Sequence, residues 1–384
     1  MHGTAPLVLL VSTLLLTFSG RTLAQDASIK IGHAGPLSGT AAHLGKDNEN
    51  GARMAIDEVN SKGITIGGKK VKFVLLAEDD AGDPKQSKVV AQKLVDASVS
   101  GVVGHLNSGT TLPASKIYFD AGIPQITPSA TATKYTQHGF NTAFRMVAND
   151  GQLGGTLGRY AAQVSKAKKI AVIDDRTPYG QGVAEEFVAG VKSQKGSNAE
   201  IVATQYTNDK ATDFNAILTA IKARNPDLIF FGGMDAVAGP LLKQMKALGI
   251  NVKFMGGDGM CTGKLADLAG AAMADQQVVC AEAGGVDASG QKGMDAFRAN
   301  YKNKYGIDVQ IYAPYAYDAV MLMVEAMKKA DSADPAKYRP FLQKIQYKGV
   351  SGSFAFDSKG DIKDGTLTLY TYKNGRREVL TVTK

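Results

Sequence analysis

Short apolar runs alternate with amphipathic stretches along most of this chain, in two successive blocks of similar size. In the first block, residues 29–32 read as a strand that enters the turn Gly35-Pro36-Leu37-Ser38-Gly39. Ala52, Ala55, Ile56 and Val59 then recur at helical spacing until Gly63 stops the helix. Residues 71–76 predict a second strand ending in Glu78-Asp79-Asp80, and Asp83-Pro84 opens a helix striped by Val90, Leu94 and Ala97. Residues 102–104 and 124–126 add two more strands. The second block starts at Lys168, with strands at 170–173, 201–203, 228–231 and 252–255 and helices near 184–191 and 214–221. Two such blocks predict an α/β protein of two doubly wound lobes with parallel sheets.

After Cys280 the pattern returns to helices at 294–305, 315–328 and 338–345. Short strands at 353–356 and 367–371 follow, and Asn374-Gly375 predicts a hairpin turn. No composition shift marks a soft linker, so the lobes are expected to share several chain crossings.

Residues 7–18 form an apolar run followed by Ser19-Gly20-Arg21 and the small-residue site Thr22-Leu23-Ala24. That is the pattern of a secretory signal peptide cleaved after Ala24, and the run is too short for a comfortable membrane span. The remaining residues, 25–384, suffice for two cores. The formal charge of +8 comes from Lys and Arg interleaved with Asp and Glu. A nucleic-acid binder concentrates such residues in a patch with aromatics, so here the excess reads as solvated surface. In an exported chain Cys261 and Cys280 can close a small loop; reduced, buried thiols are the alternative.

Catalytic and metal motifs fail one by one. The five histidines, at 2, 33, 43, 105 and 138, contain no pair at helical metal-ligand spacing. No Gly-x-Ser-x-Gly elbow exists. Gly263-Lys264 resembles a phosphate loop, but Asp258 stands in place of the first glycine and Leu265 in place of the Ser/Thr. Gly154-Gly155 and Gly158 are too loosely spaced for a dinucleotide fingerprint. Asp79 and Asp80 form either an acid pair or a strand-end turn. With no nucleophile, base and orienter assembled, a binding protein without cofactor or metal is expected, not an enzyme.

Two hydroxyl-rich turns stand out, residues 104–111 and 127–131, each directly after a strand. Thr110 or Thr111 is expected to cap a helix that Leu112-Pro113-Ala114 begins, leaving free N–H groups near Ser108 for an anion such as a carboxylate. Turn chemistry alone also explains the Ser and Thr there. Ligands of open α/β sheets lie beyond the carboxyl ends of the strands. Those ends carry Ser108, Ser129, Ala130, Thr131, Tyr179, Met234 and Asp258. One acid, several hydroxyls and apolar or aromatic groups suit a zwitterion with an apolar tail.

Six stretches carry a resemblance: Gly35-Pro36-Leu37-Ser38-Gly39, residues 79–86, Gly104-His105-Leu106-Asn107-Ser108, residues 126–131, Tyr179-Gly180-Gln181-Gly182 and residues 254–259. In that order, across essentially the whole mature chain, they resemble the branched-chain amino-acid binding proteins of bacterial ABC importers, of the type I periplasmic binding protein family. The resemblance implies two Rossmann-like lobes, 25–149 with 281–366 and 150–280 with 367–384, joined by three crossings and closing on a ligand. It implies that Ser108 binds the ligand carboxylate through its hydroxyl and N–H, helped by the Thr131 N–H. The Ser129 carbonyl, the Thr131 hydroxyl and the Asp258 carboxylate would hold the ammonium group, Asp258 being one methylene shorter than the Glu often found there.

For the ligand side chain the resemblance implies Leu44, Leu106, Tyr179 and Met234; Leu44 and Met234 stand where some members have tyrosines. Asn107 replaces a cysteine of some members and Gly82 replaces its partner, so that disulfide is absent and Cys261–Cys280 would be a different bridge. Whether Asn107 and Gln310 touch the ligand stays open. The implied function is a periplasmic solute-binding component for leucine, isoleucine or valine, acting as a monomer with a membrane permease, without nucleic acid or membrane insertion. Another zwitterion (an aromatic or small polar amino acid, or γ-aminobutyrate) and an amide- or amino-acid-sensing receptor on the same fold are the alternatives.

Overall fold

The computed structural model describes residues 27–363 and 365–383, together with Met1 and Gly3. The leader read at residues 7–24 lies outside the described residues. The first block folds as β1 (Ala27–Gly35), α1 (Ala42–Lys62), β2 (Thr65–Ile66), β3 (Lys69–Asp79), α2 (Pro84–Asp96), β4 (Gly101–Gly104), α3 (Ser108–Asp120), β5 (Gln125–Thr127), α4 (Lys134–Gln137) and β6 (Ala143–Arg145). The second gives α5 (Asp150–Gln163), β7 (Lys169–Asp174), α6 (Pro178–Lys192), β8 (Glu200–Tyr206), α7 (Asn215–Lys222), β9 (Leu228–Gly232), α8 (Asp235–Ala247), β10 (Lys253–Gly256), α9 (Lys264–Ala269) and β11 (Val278–Glu282). Helices α10 (Gln291–Tyr305), α11 (Ala313–Ala330) and α12 (Pro335–Gln343) follow, then β12 (Tyr347–Lys348), β13 (Ser353–Phe354), β14 (Leu367–Lys373) and β15 (Arg376–Thr383).

The strands form one sheet in the order β2-β3-β1-β4-β5-β6 and another in the order β15-β14-β11-β10-β9-β7-β8, with β12 and β13 as a separate pair. Pairing is parallel from β3 to β6 and from β11 to β8, and antiparallel where β2, β14 and β15 join. We refer to the first sheet with its helices as lobe 1 and to the second as lobe 2. Helix α11 returns to lobe 1 and packs on α1, so the chain passes between lobes three times. The crossings lie together: the Ala148 N–H donates to Ala283 O at 2.9 Å, and the Thr368 hydroxyl donates to Gly284 O at 2.9 Å.

Both sheets reverse their strand order once, between β1 and β4 and between β7 and β9. Crevices therefore open beyond the carboxyl ends of those strands, the usual ligand position in such folds. Every residue of β9 is buried, as expected of a parallel strand covered on both faces. The Asn374-Gly375 turn joins β14 to β15 with φ of 51° and 70°, the left-handed pair that a two-residue hairpin of this hand requires.

One expectation fails. Helix α3 starts at Ser108, not Leu112, and neither Thr110 nor Thr111 caps it. Both threonine N–H groups already donate to Asn107 O, at 3.1 and 2.9 Å. Their hydroxyls donate instead to the carbonyls of Asn107 and His105, at 3.0 and 3.1 Å, so they hold the turn from within the helix.

The glycines that fail as a nucleotide fingerprint have a packing role. A Cβ on Gly154 would meet Val183 O at 2.6 Å, and one on Gly158 would meet Phe187 O at 2.2 Å. Helices α5 and α6 thus touch backbone to backbone, where no side-chain rotation can relieve a clash. Gly158→Ala should lower stability by about 1–3 kcal/mol in urea denaturation. Gly155→Ala is the control: its Cβ meets only the flexible Arg159 Nη1, at 3.4 Å, and stability should hold or rise.

Candidate functional site

Ser108 and Gly109 are the first two residues of α3, so their N–H groups have no carbonyl within the helix to serve. The two hydroxyl-rich turns are stitched together above them. Ser108 Oγ accepts the Ala132 N–H at 3.2 Å, and Ser129 Oγ donates to Leu106 O at 3.1 Å. Thr127 Oγ1 donates to His105 O at 2.9 Å and accepts the Ala130 N–H at 2.9 Å. From beneath, the fully buried Arg145 donates through Nη1 to Ala130 O at 3.0 Å and Ala132 O at 2.8 Å. Its Nε donates to Asp361 at 2.7 Å, which neutralises it. The Thr131 hydroxyl is buried without a hydrogen-bond partner among the described residues.

The acid pair read at Asp79 and Asp80 builds the base of these turns. Asp79 Oδ1 accepts the N–H groups of Leu37 and Ala81, both at 2.8 Å. Asp80 accepts the Gly82 N–H at 2.9 Å and faces His105 Nδ1 at 2.7 Å, and His105 Nε2 lies 3.1 Å from the Tyr118 hydroxyl. Both carboxylates are used up by the scaffold.

Lobe 2 contributes Asp258, at the start of a short 3-10 turn after β10. Tyr179, near the start of α6, donates its hydroxyl to Asp258 Oδ1 at 2.8 Å and accepts the Gly259 N–H at 2.8 Å. Tyr312 donates to Asp258 Oδ2 at 2.9 Å. Burial pushes the Asp258 carboxyl up to about 6, against the stabilising hydrogen bonds of both tyrosines. Burial and the Asp258 charge push both tyrosines well above their ordinary range, so they stay protonated donors.

Sequence reasoning did not find Tyr312. It precedes α11, and the buried Asp47 of α1 fixes it by accepting the N–H groups of Gln310, Ile311, Tyr312 and Ala313 at 2.7–3.1 Å. Tyr312 therefore belongs to lobe 1 and reaches Asp258 across the cleft. Two more contacts cross it: His43 Nε2 lies 2.8 Å from Asp235 Oδ2, and Arg377 donates to Gln310 O at 2.9 Å. The cleft is closed.

Between the lobes lies a cavity of about 20 Å³ lined by Leu106, Asn107, Ser108, Ser129, Ala130, Tyr179, Met234, Asp258, Gly259 and Tyr312. Eight of these are residues picked from the sequence, and Thr131 sits beside them. Leu44 does not line it; it is fully buried in the core of lobe 1. Gln310 is not on the wall either, its N–H and carbonyl being taken by Asp47 and Arg377. Asn107 Oδ1 is buried without a partner among the described residues, 3.7 Å from where a Cβ on Gly82 would stand. Cys261 and Cys280 form a disulfide that ties the chain after Asp258 to β11. A larger groove runs between α10 and the β14–β15 hairpin, but its Glu282 is already bound by the Tyr315 hydroxyl and faced by Arg377. The smaller cavity is the candidate site, because the uncommitted polar groups converge there.

The periplasmic binding protein family matches residues 28–377. Over 355 residues the chain is 34% identical to the leucine-, isoleucine-, valine-, threonine-, and alanine-binding protein of Pseudomonas aeruginosa, covering 92% of each. It is 33% identical to the Leu/Ile/Val-binding protein of Escherichia coli, covering 92% of this chain and 93% of that one. The crystal structure of the branched-chain amino acid transporter substrate binding protein LivJ from Streptococcus pneumoniae, in complex with isoleucine, superposes with a TM-score of 0.81 at 28% identity. That match covers 92% of this chain and 98% of the other.

The raised Asp258 has a consequence for stability. The native state holds this proton more tightly than the unfolded chain does, so the stabilisation is complete below the unfolded pKa and is lost as pH rises through about 6. Asp258→Asn removes that dependence. Its stability relative to the parent chain, without ligand, should rise by roughly 2–3 kcal/mol between pH 4 and pH 7 in urea denaturation. A difference that stays constant over this range would show that Asp258 ionises normally.

Proposed function

This chain belongs to the periplasmic binding protein family, and from that premise we propose that it is the solute-binding component of an ABC amino-acid importer, closing in the periplasm on leucine, isoleucine or valine. The observation that carries the proposal is the pairing, across one small apolar-walled cavity, of the α3 N-terminus with the Asp258 carboxylate. A helix N-terminus favours an anion and a buried carboxylate favours a cation, so the pair fits a zwitterion.

In this reading the Ser108 hydroxyl and N–H, with the Thr131 N–H, bind the carboxylate. The Ser129 carbonyl, the Thr131 hydroxyl and Asp258 take the ammonium group. Leu106, Met234 and the rings of Tyr179 and Tyr312 surround the side chain, with Ala130 and Asn107 completing the wall. The ligand is bound and released unchanged. The lobes divide at 149/150, after Glu282 at the end of β11 (two residues beyond the 280/281 boundary that the resemblance implies) and at 366/367, and closure about these crossings creates the surface that the permease recognises.

Titration calorimetry with a panel of amino acids tests the reading. Leucine, isoleucine and valine should bind at micromolar concentration or tighter; no heat from any of the three would refute the assignment. Asp258→Ala should weaken leucine at least about tenfold, since hydrogen bonds to charged groups contribute about 1.5–3 kcal/mol. Ser108→Ala should cost less, because its backbone N–H survives.

A further inference from the structure

Two of the cross-cleft contacts start from one short segment of lobe 1, residues 310–313. Arg377 donates to Gln310 O at 2.9 Å, and the Tyr312 hydroxyl donates to Asp258 Oδ2 at 2.9 Å. The buried Asp47 clamps this segment to α1 by accepting all four of its N–H groups. Tyr312 is therefore a fixed post of lobe 1, whose hydroxyl reaches Asp258 only while the lobes stand this close. Tyr179 differs, because it shares lobe 2 with Asp258 and packs on the same turn. A Cβ on Gly257 would meet the Tyr179 hydroxyl at 2.6 Å, and one on Gly259 would meet its ring at 2.7 Å. Separating the lobes leaves Tyr179 on Asp258 and takes Tyr312 away.

The space enclosed between the lobes points the same way. A cavity of about 20 Å³ has room for about one water molecule, far less than an amino acid needs. Its polar walls cannot retreat singly. Ser108 Oγ is tied to the Ala132 N–H, Ser129 Oγ to Leu106 O and Asp258 to Tyr179, each within its own lobe. Room for the charged end of a ligand therefore comes from moving the lobes apart. The ammonium group must approach Asp258 from the side of Ser129 and Thr131, which is lobe 1, and Tyr312 comes from that side as well. The hydroxyl and the ammonium group are rivals for one carboxylate.

We propose that Tyr312 is an affinity-setting residue that competes with the ligand: its hydroxyl takes the place of an ammonium donor on Asp258 and holds the lobes too tightly closed to contain an amino acid. This rests on the reading that a zwitterionic amino acid fills the cleft. Apparent affinity is then the intrinsic affinity scaled by the fraction of molecules whose cleft can accept the ligand. The contact also sharpens selection. An ammonium group replaces a neutral hydrogen-bond donor with a charged one, so it can displace Tyr312. An acid without an ammonium group offers Asp258 nothing and leaves the contact in place.

The experiment pairs titration calorimetry with small-angle X-ray scattering, on the unmodified protein and on Tyr312→Phe, which keeps the ring and removes only the donor. Leucine should bind Tyr312→Phe about three- to tenfold more tightly, the worth of one hydrogen bond. Without leucine, the variant should have a larger radius of gyration than the unmodified protein. Leucine should shrink the variant and leave the unmodified protein unchanged or slightly larger. Equal or weaker leucine binding by a folded Tyr312→Phe overturns the proposal and makes Tyr312 an ordinary wall of the cavity. A radius of gyration that falls when leucine is added to the unmodified protein overturns it too, even if the variant does not fold. Should the unmodified protein bind no amino acid at all, the functional reading fails first and this proposal falls with it.

Discussion

Buried polar groups must find partners, and the shape of this molecule follows from where that rule is met inside the chain and where it is not. Around the two hydroxyl-rich turns nearly every group is spoken for. Thr127 and Thr111 share the His105 carbonyl, Ser129 takes Leu106 O, and Arg145 gathers two carbonyls while Asp361 balances its charge. Among the groups that remain uncommitted are the first N–H groups of α3, the Asn107 side-chain oxygen and the Thr131 hydroxyl. A rigid, satisfied scaffold presents a small set of unsatisfied groups, and in the proposed reading those groups describe the ligand in negative.

The same rule explains the contacts between lobes. The Asp258 oxygens are bound by Tyr179 from lobe 2 and Tyr312 from lobe 1, so this buried carboxyl group is also a closing contact. Asp235 is held by the Thr262 hydroxyl at 2.6 Å and meets His43 of lobe 1. Arg377 donates to Cys261 O in its own lobe and to Gln310 O in the other. Opening the cleft exposes each of these groups to water at little cost, because water replaces the lost partner. Each is a modest, reversible tie, as a protein that must release its cargo requires.

Much of this was legible in the sequence, for physical reasons that also mark the limits. The central strands of both sheets are apolar because helices cover both faces, and the switch points put Ser108, Tyr179, Met234 and Asp258 at one crevice. Strand β6 escapes an apolar-run reading because its last residue is Arg145, whose burial is tolerable only through partners distant in sequence. Leu44 shares a helical face with Asn48, Ala52, Ala55 and Val59, all buried, so its periodicity already pointed to the core rather than to the ligand. Tyr312 gives no local signal beyond Pro314 in the first turn of the helix that follows; its role exists only once α11 docks on α1 and the cleft closes.

An aspartate at position 258 reaches one methylene less than a glutamate would, and the structure holds it firmly. Two tyrosine hydroxyls fix its oxygens, and the Cys261–Cys280 bridge fastens the chain three residues further on to β11, removing about 3 kcal/mol of unfolded-chain entropy for a loop of that size. The wall toward the ligand side chain is built differently, from Leu106 and the adaptable Met234. A rigid charged end and a soft apolar end divide the work of selection unequally. In the proposed reading, misplacing or deleting the ligand's ammonium group leaves the buried Asp258 without its counter-charge, whereas one methylene more or less in an apolar pocket is worth only about 1–3 kcal/mol. On the proposed function, a cleft so arranged should separate amino acids from other small acids far more sharply than it separates leucine from valine.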